Sequence, residues 1–242
     1  MQKRGISQEG LKLLACVTML IDHVGATLVL TYCQQGASMV WVNTYYLMRA
    51  IGRIAFPIYC FLLVEGACHT RNPKKYALRL FVGMLLSEIP FDLAFSGRID
   101  MESSSVMVTL LLGFLMIEAM KRVKGFWKIL VILPFFLLAE VLRTDYAGNG
   151  IVIIAMLELT KGAPQEKWLR LAGFTLLLWF GAAIQIGPIS IPMEVLGLVG
   201  VPFMFCYTGK KLTHSKAVQW AFYLFYPLHL TLLVLMEVLL FG

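Results

Sequence analysis

The sequence predicts an all-α, polytopic integral membrane bundle of about nine spanning helices, N-terminus inside and C-terminus outside. Three observations predict it. Of 242 residues, 59% are hydrophobic and only 14% are charged, against roughly 25% charged in soluble domains. The apolar residues gather into runs, several of them near the roughly 20 residues a spanning helix needs. The basic residues fall into alternate gaps between those runs, which is how a chain fixes its orientation in a bilayer.

The runs lie at about 11–31, 42–67, 75–95, 105–120, 126–142, 149–160, 169–186, 191–207 and 217–240. The first is too long for a signal-peptide core and lacks a clear A-x-A cleavage site, so it reads as a retained helix. The sixth is too short to span comfortably, and the glycine-rich stretch from Arg143 to Gly150 is expected to cap it. QIGPISIP, residues 185–192, reads as a Pro/Gly break between helices. With the N-terminus inside, 17 of the 21 Lys and Arg fall on the inner side. Arg49, Arg53, Arg98 and Arg143 remain for the outer half. No linker or repeat interrupts residues 1–242, which read as one membrane domain.

Several ionisable residues sit inside the apolar runs. A charge at mid-bilayer costs several kcal/mol, so each needs a reason. Asp22 and His23 lie well inside the first run, Arg49 and Arg53 in the second, Glu88 and Asp92 in the third, and His229 in the last. The i, i+4 spacing puts both arginines on one helix face. Adjacent residues point about 100° apart on a helix, so the partner that orients His23 is expected on another helix rather than at Asp22. Asp22 and Glu88, two arginines and two histidines at similar depth, with Asp92 one turn further out, predict a polar chamber, although buried ion pairs such as Arg53–Glu88 also fix packing. Pro57, Pro90 and Pro227 stand beside these residues, each freeing a carbonyl about four residues earlier. Such breaks are tolerated where backbone lines a cavity or packs in protein.

The second run ends in a basic turn, HTRNPKKYALR. His69, Arg71, Lys74, Lys75 and Arg79 there suit an anionic cofactor with several phosphates, with a helix N-terminus adding amide donors. The five cysteines contain no CxxC, so neither a metal site nor a disulfide framework is expected. The net charge of +7 is taken up by topology, and no nucleic-acid partner is expected.

LKLLACVTMLIDHVGA, RAIGRIAFPIYCFLLVEGACHTRNPKKYALRL, LLSEIPFDLAF, DYAGNG and YPLHL, in that order, resemble the TraX family of bacterial membrane proteins. The same order is remotely similar to the acyltransferase 3 family and its wider transmembrane class. That class opens on a helix ending at a histidine, as His23 does. It continues with an F-x-x-S/E-G helix leading to a basic turn, as Phe61, Glu65, Gly66 and Arg71 do, and it ends on Tyr-x-x-His, as Tyr226 and His229 do. Lys12 stands where that class has arginine, and the arginine pair here precedes the F-x-x-E-G helix.

The TraX resemblance implies acetylation of a pilin N-terminus from acetyl-CoA, in a multi-pass protein of the bacterial inner membrane. Its implied parts are acetyl-CoA as co-substrate, phosphates on the basic turn with Arg49 assisting, and His23 as general base or acetyl acceptor. Arg53, with Arg49 as a second donor, stabilises the oxyanion, Glu88 and Asp92 hold the arginines or orient an acceptor amine, and His229 is the second candidate base. The acceptor, whether pilin-like peptide, glycan or small amine, and the oligomeric state stay open. A proton-coupled transporter would use the same buried charges but predicts an inverted repeat, which is not visible. A structural subunit of an envelope assembly complex is the third class.

Overall fold

The computed structural model describes residues 5–100, 102–163, 165–177, 183–186, 189–213 and 215–241. Lys3 and Arg4 of the charge count, and Gly187 and Pro188 of the expected break, lie outside the described residues. The chain divides into two compact units, Met1–Tyr59 with Phe174–Gly242, and Cys60–Gly173.

The first unit opens with α1 (Gln8–Val24), started by the Ser7 hydroxyl accepting from Gly10 N at 3.1 Å. The helix runs without a break through a π-helical turn, Gly25–Val29, into α2 (Leu30–Gln34). A π turn inserts one residue into the 3.6-residue period and is a frequent mark of a functional site. Here it begins two residues after His23, and the Thr27 hydroxyl donates to the His23 carbonyl at 2.8 Å.

Next come α3 (Met39–Gly52) and α4 (Ala55–His69), separated only by Arg53 and Ile54. The cause is Pro57. It has no N–H to offer the Arg53 carbonyl four residues earlier, and Arg53 N and Ile54 N bond instead three residues back, to Ala50 O and Ile51 O. The proline therefore puts an arginine at the helix break.

The rest of this unit holds a hairpin, β1 (Ala183–Ile186) and β2 (Ile189–Pro192), paired antiparallel with Ile186 opposite Ile189. A 3₁₀ segment (Met193–Gly200), α10 (Val201–Phe205) and α11 (Lys216–Phe241) follow. α1 packs on α3 and α11, and the 3₁₀ segment packs on α3. Ile6 pairs with Tyr207 in a parallel bridge, and Glu9 accepts from Leu212 N at 2.8 Å, so the chain's start is tied to the stretch before α11.

The second unit is built on α6 (Val106–Met120), buried along nearly its whole length. Around it pack α5 (Pro73–Ser96), α7 (Trp127–Val141) and α8 (Ala147–Leu159). α9 (Glu166–Leu177) begins in this unit. Asn72 caps α5 by accepting from Lys75 N at 2.9 Å, with Pro73 as first helical residue, and Gly97 closes it in the left-handed conformation at φ 67°.

A helical segment meets each of the nine expected runs, and among the described residues three helical stretches are long and apolar enough to cross a membrane: Gln8–Gln34, Met39–His69, which holds the break at Arg53, and Lys216–Phe241. This is a membrane protein, predominantly helical. Two expectations need correction. The end of the seventh run, expected to be helical to residue 186, is a strand at Ala183–Ile186, because the alternating, β-branched AIQI and ISIP stretches pair. At the start of α8 the N-cap residue Tyr146 makes no side-chain cap bond, and Gly148 and Gly150, expected in the capping loop, lie inside the helix. Glu140 of α7 supplies the cap, accepting from Gly148 N at 2.9 Å. Gly148 is required because a Cβ there would run into the Phe136 ring.

Candidate functional site

The candidate centre lies in the first unit and begins at two consecutive residues of α1. Asp22 and His23 are both buried. As neighbours on a helix they face different ways, and they serve different partners. Asp22 faces α3. Its Oδ2 lies 2.9 Å from Arg49 Nη1, and both its oxygens take Arg53 Nη2, at 3.3 and 3.2 Å. Gly52 makes this approach possible, since a Cβ at that position would run into the Asp22 side chain. Gly25 helps in the same way one turn on, with Met48 of α3 against it.

Arg53 is claimed a second time, by Glu194 of the 3₁₀ segment, whose Oε1 accepts from Nη1 at 2.8 Å. Its Nε donates to the Arg49 carbonyl at 3.3 Å. Two guanidinium groups and two carboxylates thus cancel in formal charge, which is the condition for keeping them in apolar surroundings. The two arginines are not equivalent. Arg53 spends all three nitrogens on this chain. Arg49 spends Nη1 on Asp22, and among the described residues nothing accepts from its Nε or Nη2.

His23 faces α11. Its Nδ1 lies 2.7 Å from His229 Nε2, and His229 Nδ1 lies 2.7 Å from the Phe225 carbonyl. The two imidazoles are near parallel, 13° apart, with centroids separated by 4.9 Å. Tyr226 stands edge-on to both rings, at 5.9 and 5.6 Å. The expectation that a different helix orients His23 is met by α11. Two helical turns before His23, Cys16 Sγ lies 3.2 Å from Tyr59 Oη.

The remaining predicted residues belong to the second unit. Glu88 was expected to hold the arginines. It instead accepts from Ser105 Oγ at 2.5 Å and from Ser105 N at 3.3 Å, fixing the residue that precedes α6. Asp92, one turn on, accepts from Asp100 N at 3.2 Å. Within the first unit, Asp22 meets both arginines and Glu194 meets Arg53. In the basic turn Arg71, Lys74 and Lys75 are exposed, and Arg79 lies 5.6 Å over the Tyr76 ring. His69 is exposed and donates from Nδ1 to the Glu65 carbonyl at 2.8 Å. Among the described residues no cluster suits a metal ion.

Comparison with known proteins decides the family. The family model described as TraX protein matches residues 7–237. The chain belongs to the TraX family. It is 34% identical to the "Probable fimbrial assembly protein FimC, serogroup H1" of Dichelobacter nodosus, over 92% of each chain. No solved structure matches it.

Within this TraX chain, sequence reasoning missed Glu194, and the signal was present: a lone carboxylate in an apolar run, the same signal that singled out Asp22. It also missed a network in the second unit. Glu65, of the F-x-x-E-G motif, pairs with Lys161 at 2.9 Å. Burial of Lys161 disfavours its charge, but the Glu65 carboxylate and Cys68 outweigh this and raise its pKa. Arg170, buried, pairs with Glu166 at 2.6 Å and lies 5.6 Å over the Phe61 ring. Lys121 donates to the Ala67 carbonyl at 2.7 Å, near the C-terminus of α4, where a cation is favoured. Gly66 of the motif leaves room for Tyr76, which a Cβ there would crowd at 2.7 Å from the hydroxyl.

Proposed function

We propose that this protein is an acetyl-CoA-dependent acetyltransferase of the bacterial inner membrane, acting on the N-terminal amine of a pilin subunit. The observation that carries the reading is the buried His23–His229 pair at 2.7 Å, set beside an Asp22-bound arginine pair. Acyl transfer needs a base for the incoming amine and donors for the oxyanion. Membership of the TraX family and similarity to a fimbrial assembly protein support a pilin as acceptor.

In the step, the acceptor amine attacks the thioester carbonyl while His23 takes its proton. Arg49 donates to the developing oxyanion from the N–H groups that Asp22 leaves over; Arg53 is the group that fixes Asp22. The tetrahedral intermediate collapses, the C–S bond breaks, and the CoA thiolate leaves with the proton returned by His23. The products are an N-acetyl peptide and free CoA. The cationic surface of Arg71, Lys74 and Lys75 supports binding of the donor's phosphates.

The test is a purified, nanodisc-embedded protein given acetyl-CoA and a pilin N-terminal peptide, with CoA release and peptide mass both followed. We expect equimolar free CoA and a peptide heavier by one acetyl group, both abolished by His23→Ala. In Lys74→Glu/Lys75→Glu we expect the KM for acetyl-CoA to rise about tenfold or more with kcat held. Wild-type turnover in His23→Ala would remove the base assignment. An unacetylated peptide alongside a functioning gradient-driven flux in liposomes would replace the enzyme reading with a transporter.

A further inference from the structure

We infer that His229 is a positioning residue that fixes the tautomer of His23, and not an alternative base. The inference rests on the acetyl-transfer reading for its consequence, but not for its geometry.

The direction of the hydrogen-bond chain follows from its far end. The Phe225 carbonyl oxygen can only accept, so the proton between it and His229 belongs to His229 Nδ1. With both rings neutral, His229 Nε2 then carries a lone pair. The short contact from that atom to His23 Nδ1 requires the proton to sit on His23. His23 is therefore the Nδ1–H tautomer, with its basic lone pair on Nε2. One backbone carbonyl, two residues before Pro227, sets the reactive nitrogen of a histidine on a different helix.

The ring planes are held as firmly as the protons. A centroid separation of 4.9 Å with planes 13° apart is the geometry of two imidazoles bonded end to end. The Phe225 ring lies 4.8 Å from His229, and Tyr226 closes on both histidines from the side. Both His229 nitrogens are engaged in this chain, which leaves proton transfer to His23. The Tyr-x-x-His spacing acquires a physical reason. Tyr226 and His229 are three residues apart on α11, so one helix face presents both the edge-on ring and the acceptor nitrogen to α1.

The test reads the tautomer directly. The full-length protein, labelled with ¹⁵N-histidine and placed in nanodiscs, has four histidines, assignable by single substitution. We expect His23 and His229 each to show a protonated Nδ1 and an unprotonated Nε2. In His229→Leu the His23 signal should shift to the Nε2–H form, and kcat should fall about 100-fold with the KM for acetyl-CoA unchanged. In His229→Gln the side-chain carbonyl can still accept from His23 Nδ1–H, so the tautomer and most of kcat should be retained. Nε2–H on His23 in the wild type would overturn the inference, as would His229→Gln as inactive as His229→Leu. These spectra are read without turnover. A wild-type protein with the expected tautomers but no acetyl transfer would sink the proposed function and leave the positioning intact.

Discussion

α1 and α5 each carry a carboxylate well inside an apolar helix, and the two are satisfied in opposite ways. Asp22 is met by side chains, two guanidinium groups from α3 that arrive on one face because they are four residues apart. Glu88 is met at Ser105, by its backbone N–H and hydroxyl, where α6 begins. An ion pair between helices needs several residues to agree and leaves donors over, as Arg49 shows. A carboxylate at a helix start removes an orphan N–H and completes itself. An ionisable residue in an apolar helix is thus a question, and its partner is the answer. Charge partners from other helices mark chemistry, and main-chain partners mark a fold being fastened.

The largest effect expected from this contrast is at Asp22. Asp22→Ala leaves two largely buried guanidinium groups without the carboxylate they share. Removing one member of a buried ionic set costs about 3–5 kcal/mol. We expect a clear drop in Tm in detergent and a loss of transfer of at least about 100-fold, since Arg49 loses its anchor. Asp22→Ala with wild-type Tm and turnover would remove the distinction between the two carboxylates.

Gly52→Ala tests the same centre without touching a charge. The added methyl lands where the Asp22 carboxyl group lies, and neither helix backbone can move away cheaply. Overpacking of this kind costs about 1–3 kcal/mol. Transfer should fall more than stability does, because the displaced Asp22 misplaces both arginines. Gly148→Ala is the paired control: it crowds Phe136 in the second unit, where a loss of Tm without a matching loss of kcat per folded molecule is expected.

Much of this was legible in the sequence, and the limit of legibility has a physical cause. Apolar runs declare helices in lipid because nothing else satisfies the backbone there, so helical segments appear in each expected place. Asp22, His23, Arg49, Arg53 and His229 stood out because ions in oil are rare. The acid that meets Arg53 from the 3₁₀ segment was not foreseen. Glu88 and Glu194 give the same one-dimensional signal, a carboxylate among hydrophobes, and only tertiary packing shows that Glu194 reaches Arg53. The hairpin at 183–192 was hidden for a related reason: short β-branched stretches suit a strand or a buried helix alike, and length alone does not separate them. The direction of the histidine chain lay beyond the sequence altogether, since it depends on which backbone carbonyl happens to lie against His229.

The smallest effect is expected at Glu88, and it sharpens the comparison from the other side. Glu88→Ala removes the acceptor for Ser105 N–H and hydroxyl and should cost about 1–3 kcal/mol. Glu88→Gln keeps an acceptor oxygen and should recover most of that loss. A residue that only fastens the start of α6 has no reason to change the chemistry, so kcat per folded molecule should stay within about threefold in both variants. The ratio of the two readouts decides the matter. If Glu88→Gln melts like the wild type yet transfers no acetyl group, the main-chain-bound carboxylate also serves the reaction, and the rule drawn from Asp22 fails at its nearest counterexample.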